Sequence, residues 1–141
     1  MNNDNRRLKV MELFDDEWMN KYKDAWNTAP EVSGELAKVG FTTTIAIGFQ
    51  GEAQAHAFVK VENGMITHAG AYDGSPLDWD MRAKKEQWEK WMNDPPGMMG
   101  LGSAVTFGKM KFASGDFGTM IKNPALANPF VKSFALMAKV K

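Results

Sequence analysis

Two histidines, two alternating aspartates and a glycine-rich run are the parts of this 141-residue chain whose types and spacing invite a chemical reading. Asp78 and Asp80 stand two apart in "LDWDMR", so on a strand they share a face, formally the arrangement of a paired-carboxylate site. Arg82 alternates with them, and the pattern predicts the solvated, charge-balanced side of an amphipathic strand. His56 and His68 flank an Asn63-Gly64 turn. A two-residue turn there pairs Glu62 with Met65, Val59 with His68 and His56 with Ala71, which sends the histidines to opposite faces. Neither has metal-ligand spacing such as HExxH. The glycines of "GMMGLGSAVTFG" approach GxGxxG, but no strand precedes them, no acidic residue follows about 20 positions on, and there is no P-loop lysine. Ser103 lacks a GxSxG elbow. The chain has no cysteine, which removes disulfides, thiolate nucleophiles and sulfur-ligated zinc, and fits a reducing compartment. No catalytic residue, metal or cofactor is therefore expected, and the reading is of a protein that is not an enzyme.

The anomaly is apolar. Eleven methionines, five tryptophans and nine phenylalanines exceed what a uniquely packed core needs, because methionine specifies packing poorly and adapts to irregular shapes. Trp79 and Met81, then Trp88, Trp91 and Met92, then Met98, Met99, Leu101 and Phe107 all compete for one side of a small sheet. Met110 and Phe112 join them, followed by Phe130, Phe134 and Met137. These residues are the candidate wall of a deformable ligand cavity, with the glycines between Gly97 and Gly108 keeping that wall thin and mobile.

The elements that would position this wall follow from periodicity. Phe14, Trp18, Tyr22 and Trp26 recur every four residues, with Asp15 as N-cap and Phe14 and Met19 spaced as a hydrophobic staple. "PEVSGELAKVG" is a second, short helix closed by Gly40. Alternation marks strands at 41–49, 53–62, 65–72 and 77–82, the last after a turn at 73–76. Lys84 opens a helix carrying Trp88, Trp91 and Met92, and a nearly charge-free helix capped by Asp94 runs to Gly108. "KMKFA" is a fifth strand. A short helix then breaks at Asn123 and Pro124, and a last helix opens at Asn128 and Pro129. The order predicts an α+β domain, an antiparallel meander with helices gathered on its apolar face.

One domain spanning residues 1–141, with a polar N-terminal tail at 1–12, suits the length and the 44% hydrophobic content. Formal net charge is zero, giving no long-range field to gather nucleic acid or hold an anionic membrane. "MNNDNRRLKV" has no apolar signal-like region, so a soluble cytoplasmic protein without a transmembrane segment is expected.

"LFDDEWMNKYKDAWNTAPE", "LDWDMRAKKEQWEKWM" and "GKMKFASGD" followed by a helical tail resemble the sterol carrier protein 2 (SCP2, sterol-transfer) family in its stand-alone bacterial form, from about Leu13 to Met137. The resemblance implies a five-stranded, mainly antiparallel sheet covered on one face by helices, with a hydrophobic tunnel between the layers for sterols, fatty acids or acyl-CoA thioesters. It implies a C-terminal helix, by position residues 129–140, that helps close the tunnel. The function it implies is non-catalytic lipid binding and transfer. The alternative is an accessory domain that recruits or presents hydrophobic substrate to a partner enzyme by contact. Transient membrane contact would accompany transfer. The chain ends "AKVK" rather than with a peroxisomal "SKL" signal, and Trp79, Trp88 and Trp91 would occupy part of a tunnel, favouring an acyl chain over a rigid sterol.

Overall fold

The computed structural model describes residues 11–141; residues 1–10 of the expected polar tail lie outside them. Asp15 caps helix α1 (Asp16–Asn27), its carboxylate accepting from the Trp18 amide at 2.8 Å. A π-helical turn, Pro30–Gly34, runs into the single turn of α2 (Glu35–Lys38). Gly40, with φ of 61°, then releases the chain into the sheet. Four strands follow, β1 (Thr43–Phe49), β2 (Ala57–Glu62), β3 (Met65–Ala71) and β4 (Trp79–Ala83). After them come α3 (Lys85–Asn93), α4 (Met98–Thr106), β5 (Lys111–Ser114), α5 (Phe117–Ile121) and α6 (Pro124–Met137).

The sheet order is β3-β2-β1-β4-β5. Three pairings are antiparallel, but β4 crosses to the far side of β1 and pairs with it parallel, Ile45 opposite Trp79 and Ile47 opposite Met81. The expected simple meander is thus corrected to a mixed sheet. The reason lies in the connection after β3. Residues 72–78 carry the turn signals of another hairpin, yet β1 offers a free edge with matching apolar residues, and Asp78 ties the incoming chain to it. The Asp78 carboxylate accepts from the Thr43 hydroxyl and the Thr44 amide, both at 2.9 Å.

The β2–β3 turn forms as read, Asn63 and Gly64 both at positive φ. A bulge after Lys60, however, moves the register by one, so His68 faces Lys60 rather than Val59, and Ala57 faces Ala71. Two helix boundaries also differ. Asp94 is the C-cap of α3, not the N-cap of α4, which starts at Met98 after Gly97. The last helix begins at Pro124 rather than Pro129, because Asn123 accepts from the Ala125 amide at 3.1 Å and Pro124 occupies the first turn. Pro129 then lies inside the helix.

One face of the sheet carries Ile45, Ile47, Val59, Val61, Ile66 and Met81 into a single core shared with the helices. Phe14 packs edge-on against Trp18 and Trp88, at 5.0 and 5.1 Å between ring centres, which joins α1 to α3. Trp88 and Trp26 are buried with their indole N–H groups satisfied, donating to the carbonyls of Gly48 at 2.9 Å and Gly64 at 2.8 Å. Each thus anchors a helix to the sheet by both area and a hydrogen bond. Among the described residues, no helix is long and apolar enough to cross a membrane.

Candidate functional site

The polar candidates disperse. His56 sits against Phe49 at 5.1 Å and His68 against Phe58 at 5.2 Å. Phe49 belongs to the helix-covered face and Phe58, opposite Ala46, to the other, so the imidazoles do not meet. Asp80 departs from the solvated face that alternation suggests. It is buried and gripped by Arg82, which donates from Nε at 2.6 Å and from Nη2 at 2.9 Å. Nη1 of Arg82 donates onward to the Glu52 carbonyl at 2.9 Å, so the pair fastens the β1–β2 loop over the sheet. Asp78 precedes β4 and does the strand-tying described above. Ser103 is exposed on α4. Among the described residues, no cluster of three or more His, Cys, Asp or Glu residues could hold a metal ion.

What the fold does build is a pair of apolar cavities between sheet and helices. The first has about 410 Å³ of empty space including its open mouth, of which about 40 Å³ is wide enough for the centre of a water molecule. Its floor is Ile45 of β1 with Trp79 and Met81 of β4, and its roof is Trp26, Met120, Leu126 and Phe130, with Leu36 and Phe41 at one end. The second, about 340 Å³ of empty space with about 30 Å³ of such width, lies between Ile45, Ile47 and Val59 below and Met19, Tyr22, Phe130, Ser133 and Met137 above. Trp26, Ile45 and Phe130 border both. They form the partition of one narrow cleft.

Of the residues singled out from the sequence, Trp79, Met81, Phe130 and Met137 line this cleft. Trp88, Trp91, Leu101, Met110 and Phe134 are buried core. Trp88 lies parallel to Phe134 at 6.4 Å, and Trp91 meets the same ring edge-on at 6.0 Å. Met92 borders a surface groove with Leu13, Trp18 and Val140, and Phe112 borders an open depression with Val105 and Phe117. On the Met/Gly segment, Met98, Met99 and Phe107 face outward rather than into the cleft, at 39%, 89% and 76% exposed. The α4 glycines therefore serve a surface helix, whose inner side is held by Leu101 and Ala104.

The cleft residues that sequence reasoning missed carried a periodic signal, which marks an apolar face without marking empty space beneath it. Met19, Tyr22 and Trp26 belong to the α1 stripe, and Ile45 and Ile47 to the apolar side of β1. Met120 and Leu126 had no such pattern, since α5 is barely more than one turn and the α6 start signal is duplicated at Asn128-Pro129.

A mixed five-stranded sheet roofed on one side by helices, with an apolar cleft bordered by the C-terminal helix, defines the architectural class. No family model matches the chain, and no curated protein matches its sequence. The fold is that of sterol carrier protein 2. A crystal structure of sterol carrier protein 2 aligns with a TM-score of 0.72 at 15% identity, over 92% of this chain and 100% of the other. A solution structure of a conserved hypothetical protein from Thermus thermophilus aligns at 0.64 and 16%, over 94% and 89%. A protein described as the UbiJ-SCP2 ubiquinone synthesis protein aligns at 0.56 and 10%, over 84% and 90%.

Proposed function

We propose that this protein is a non-catalytic carrier that takes a long apolar molecule into the cleft between sheet and helices and delivers it at a lipid surface. The observation that carries the reading is the lining: neither cavity has a charged side chain in its wall. Each methylene removed from water there contributes about 0.8 kcal/mol before ordering costs are subtracted. The cleft is narrow, but Met19, Met81, Met120 and Met137 are among its walls, and unbranched thioether side chains can re-pack around an inserted chain at low cost. The names of the structural neighbours support lipid carriage by analogy of fold.

Delivery is assigned to α4. Met98, Met99 and Phe107 present an uncompensated apolar surface. Lys109 and Lys111, both exposed, follow this apolar edge and supply cations suited to anionic headgroups, while Asp94 and Asp116 bound the segment.

Native mass spectrometry and displacement of a fluorescent acyl probe test the carrier reading. Uptake of the probe by the wild type is expected, with a loss of at least about tenfold in affinity in Ile45→Trp, which thickens the partition. A protein that takes up no acyl probe would end the proposal. For delivery, flotation with phosphatidylserine vesicles should capture the wild type and lose a Met99→Ser, Phe107→Ser double variant that still binds probe in solution. The same exposed face favours a second reading, a domain that presents its ligand to an enzyme by contact. Binding to a partner protein rather than to vesicles, lost in the same double variant, would select it.

A further inference from the structure

The second cavity differs from the first in one respect: Tyr22 of α1 and Ser133 of α6 place hydroxyl-bearing side chains in an otherwise apolar wall. Tyr22 is 3% exposed and Ser133 4%. Tyr22 is fixed from two sides by its own helix, with Trp18 at 5.4 Å and Trp26 at 5.9 Å between ring centres. The Ser133 proton is committed to the Phe130 carbonyl, 2.6 Å away, which leaves the serine oxygen free to accept. Ser133 lies beside the Tyr22 phenol, and burial, only partly offset by that neighbour, holds the phenol's pKa well above its usual range. Two hydroxyl-bearing side chains, held by different helices, thus border an almost wholly apolar volume that has no lysine, arginine or histidine in its wall.

Resting on the reading of the cleft as the ligand site, we infer that Tyr22 and Ser133 form a polar subsite for an uncharged oxygen, the hydroxyl or carbonyl end of a neutral lipid. A carboxylate brought to this end would lose its hydration with no cation to replace it, the most costly way to bury a headgroup. A bare methyl end would cover the tyrosine hydroxyl without offering a partner, forfeiting a hydrogen bond in a water-poor place. An alcohol or ketone oxygen meets both conditions, since the phenol can donate to it or accept from it. A fatty acid or thioester remains compatible with the cleft only with its charged end at the mouth.

Displacement of a bound fluorescent acyl probe by hexadecanol, palmitate and hexadecane, presented from the same carrier micelles at pH 8, separates the cases. Hexadecanol should displace about tenfold more effectively than either of the others, a difference of one hydrogen bond. In a Tyr22→Phe, Ser133→Ala double variant, confirmed as folded by its melting transition, hexadecanol should fall to within about twofold of hexadecane. Equal displacement by palmitate, or an alcohol preference that survives in the double variant, would overturn the subsite while leaving the carrier reading intact. If none of the three displaced the probe from the wild type, the cleft reading and the subsite would fall together.

Discussion

At the scale of single residues, the buried polar groups decide what the molecule tolerates. The phenol of Tyr22 keeps its proton in the fold to higher pH than in the unfolded chain, because burial disfavours the phenolate. Below the unfolded pKa of about 10 both states are protonated and the shift has no effect; above it the unfolded state loses the proton first and is favoured. Stability should therefore fall by up to about 1.4 kcal/mol per pH unit above pH ~10, a slope that urea titrations should show reduced in Tyr22→Phe. Asp80 and Arg82 give a second test. Removing the guanidinium with Arg82→Ala leaves a buried carboxylate unpaired and should cost about 3 kcal/mol by urea denaturation, whereas Asp80→Leu with Arg82→Met should recover much of the loss. Little of this was legible beforehand. Alternation correctly places Asp80 and Arg82 on the face away from the core, but it cannot tell a solvated face from one on which a loop closes, as the β1–β2 loop does through the Arg82–Glu52 hydrogen bond.

At the scale of elements, periodicity located every strand and nearly every helix, because alternation and four-residue spacing are local consequences of backbone geometry. It failed where two local solutions compete. Asn123-Pro124 and Asn128-Pro129 carry the same start signal, and the earlier one wins because α6 then supplies Leu126 to the cleft while Phe130 and Phe134 still reach the core. The β2–β3 bulge has no signature in the sequence. Gly115, following β5, is conversely forced by its surroundings. Its φ is 95°, and a Cβ there would stand 2.2 Å from Cε3 of Trp79, one of the cleft walls. Gly115→Ala should cost about 1–3 kcal/mol and displace the indole, visible as a shifted tryptophan emission and weaker probe binding. Trp88 is the corresponding anchor on the helical side. Trp88→Phe removes its hydrogen bond to Gly48 and part of its area, and thermal unfolding should show a loss of about 1–3 kcal/mol.

For the whole molecule, the apolar excess divides into three uses that no local pattern distinguishes. Trp88, Phe134 and Leu101 fill the core; Met81, Met120, Met19 and Met137 soften the cleft; Met99 and Phe107 face outward. Replacing the outward set should leave the melting temperature within about 1–2 °C of wild type, since exposed side chains contribute little to folding, and differential scanning calorimetry would check it. The amino-acid sequence by itself determined the α+β class, the apolar faces and the absence of a recognisable catalytic motif, because these follow from residue type and short-range spacing. Which apolar residues surround empty space was decided by the tertiary structure alone. A cavity is a property of how far apart two layers settle, and the residues that border both halves of this one, Trp26, Ile45 and Phe130, come from elements that stand far apart in the chain.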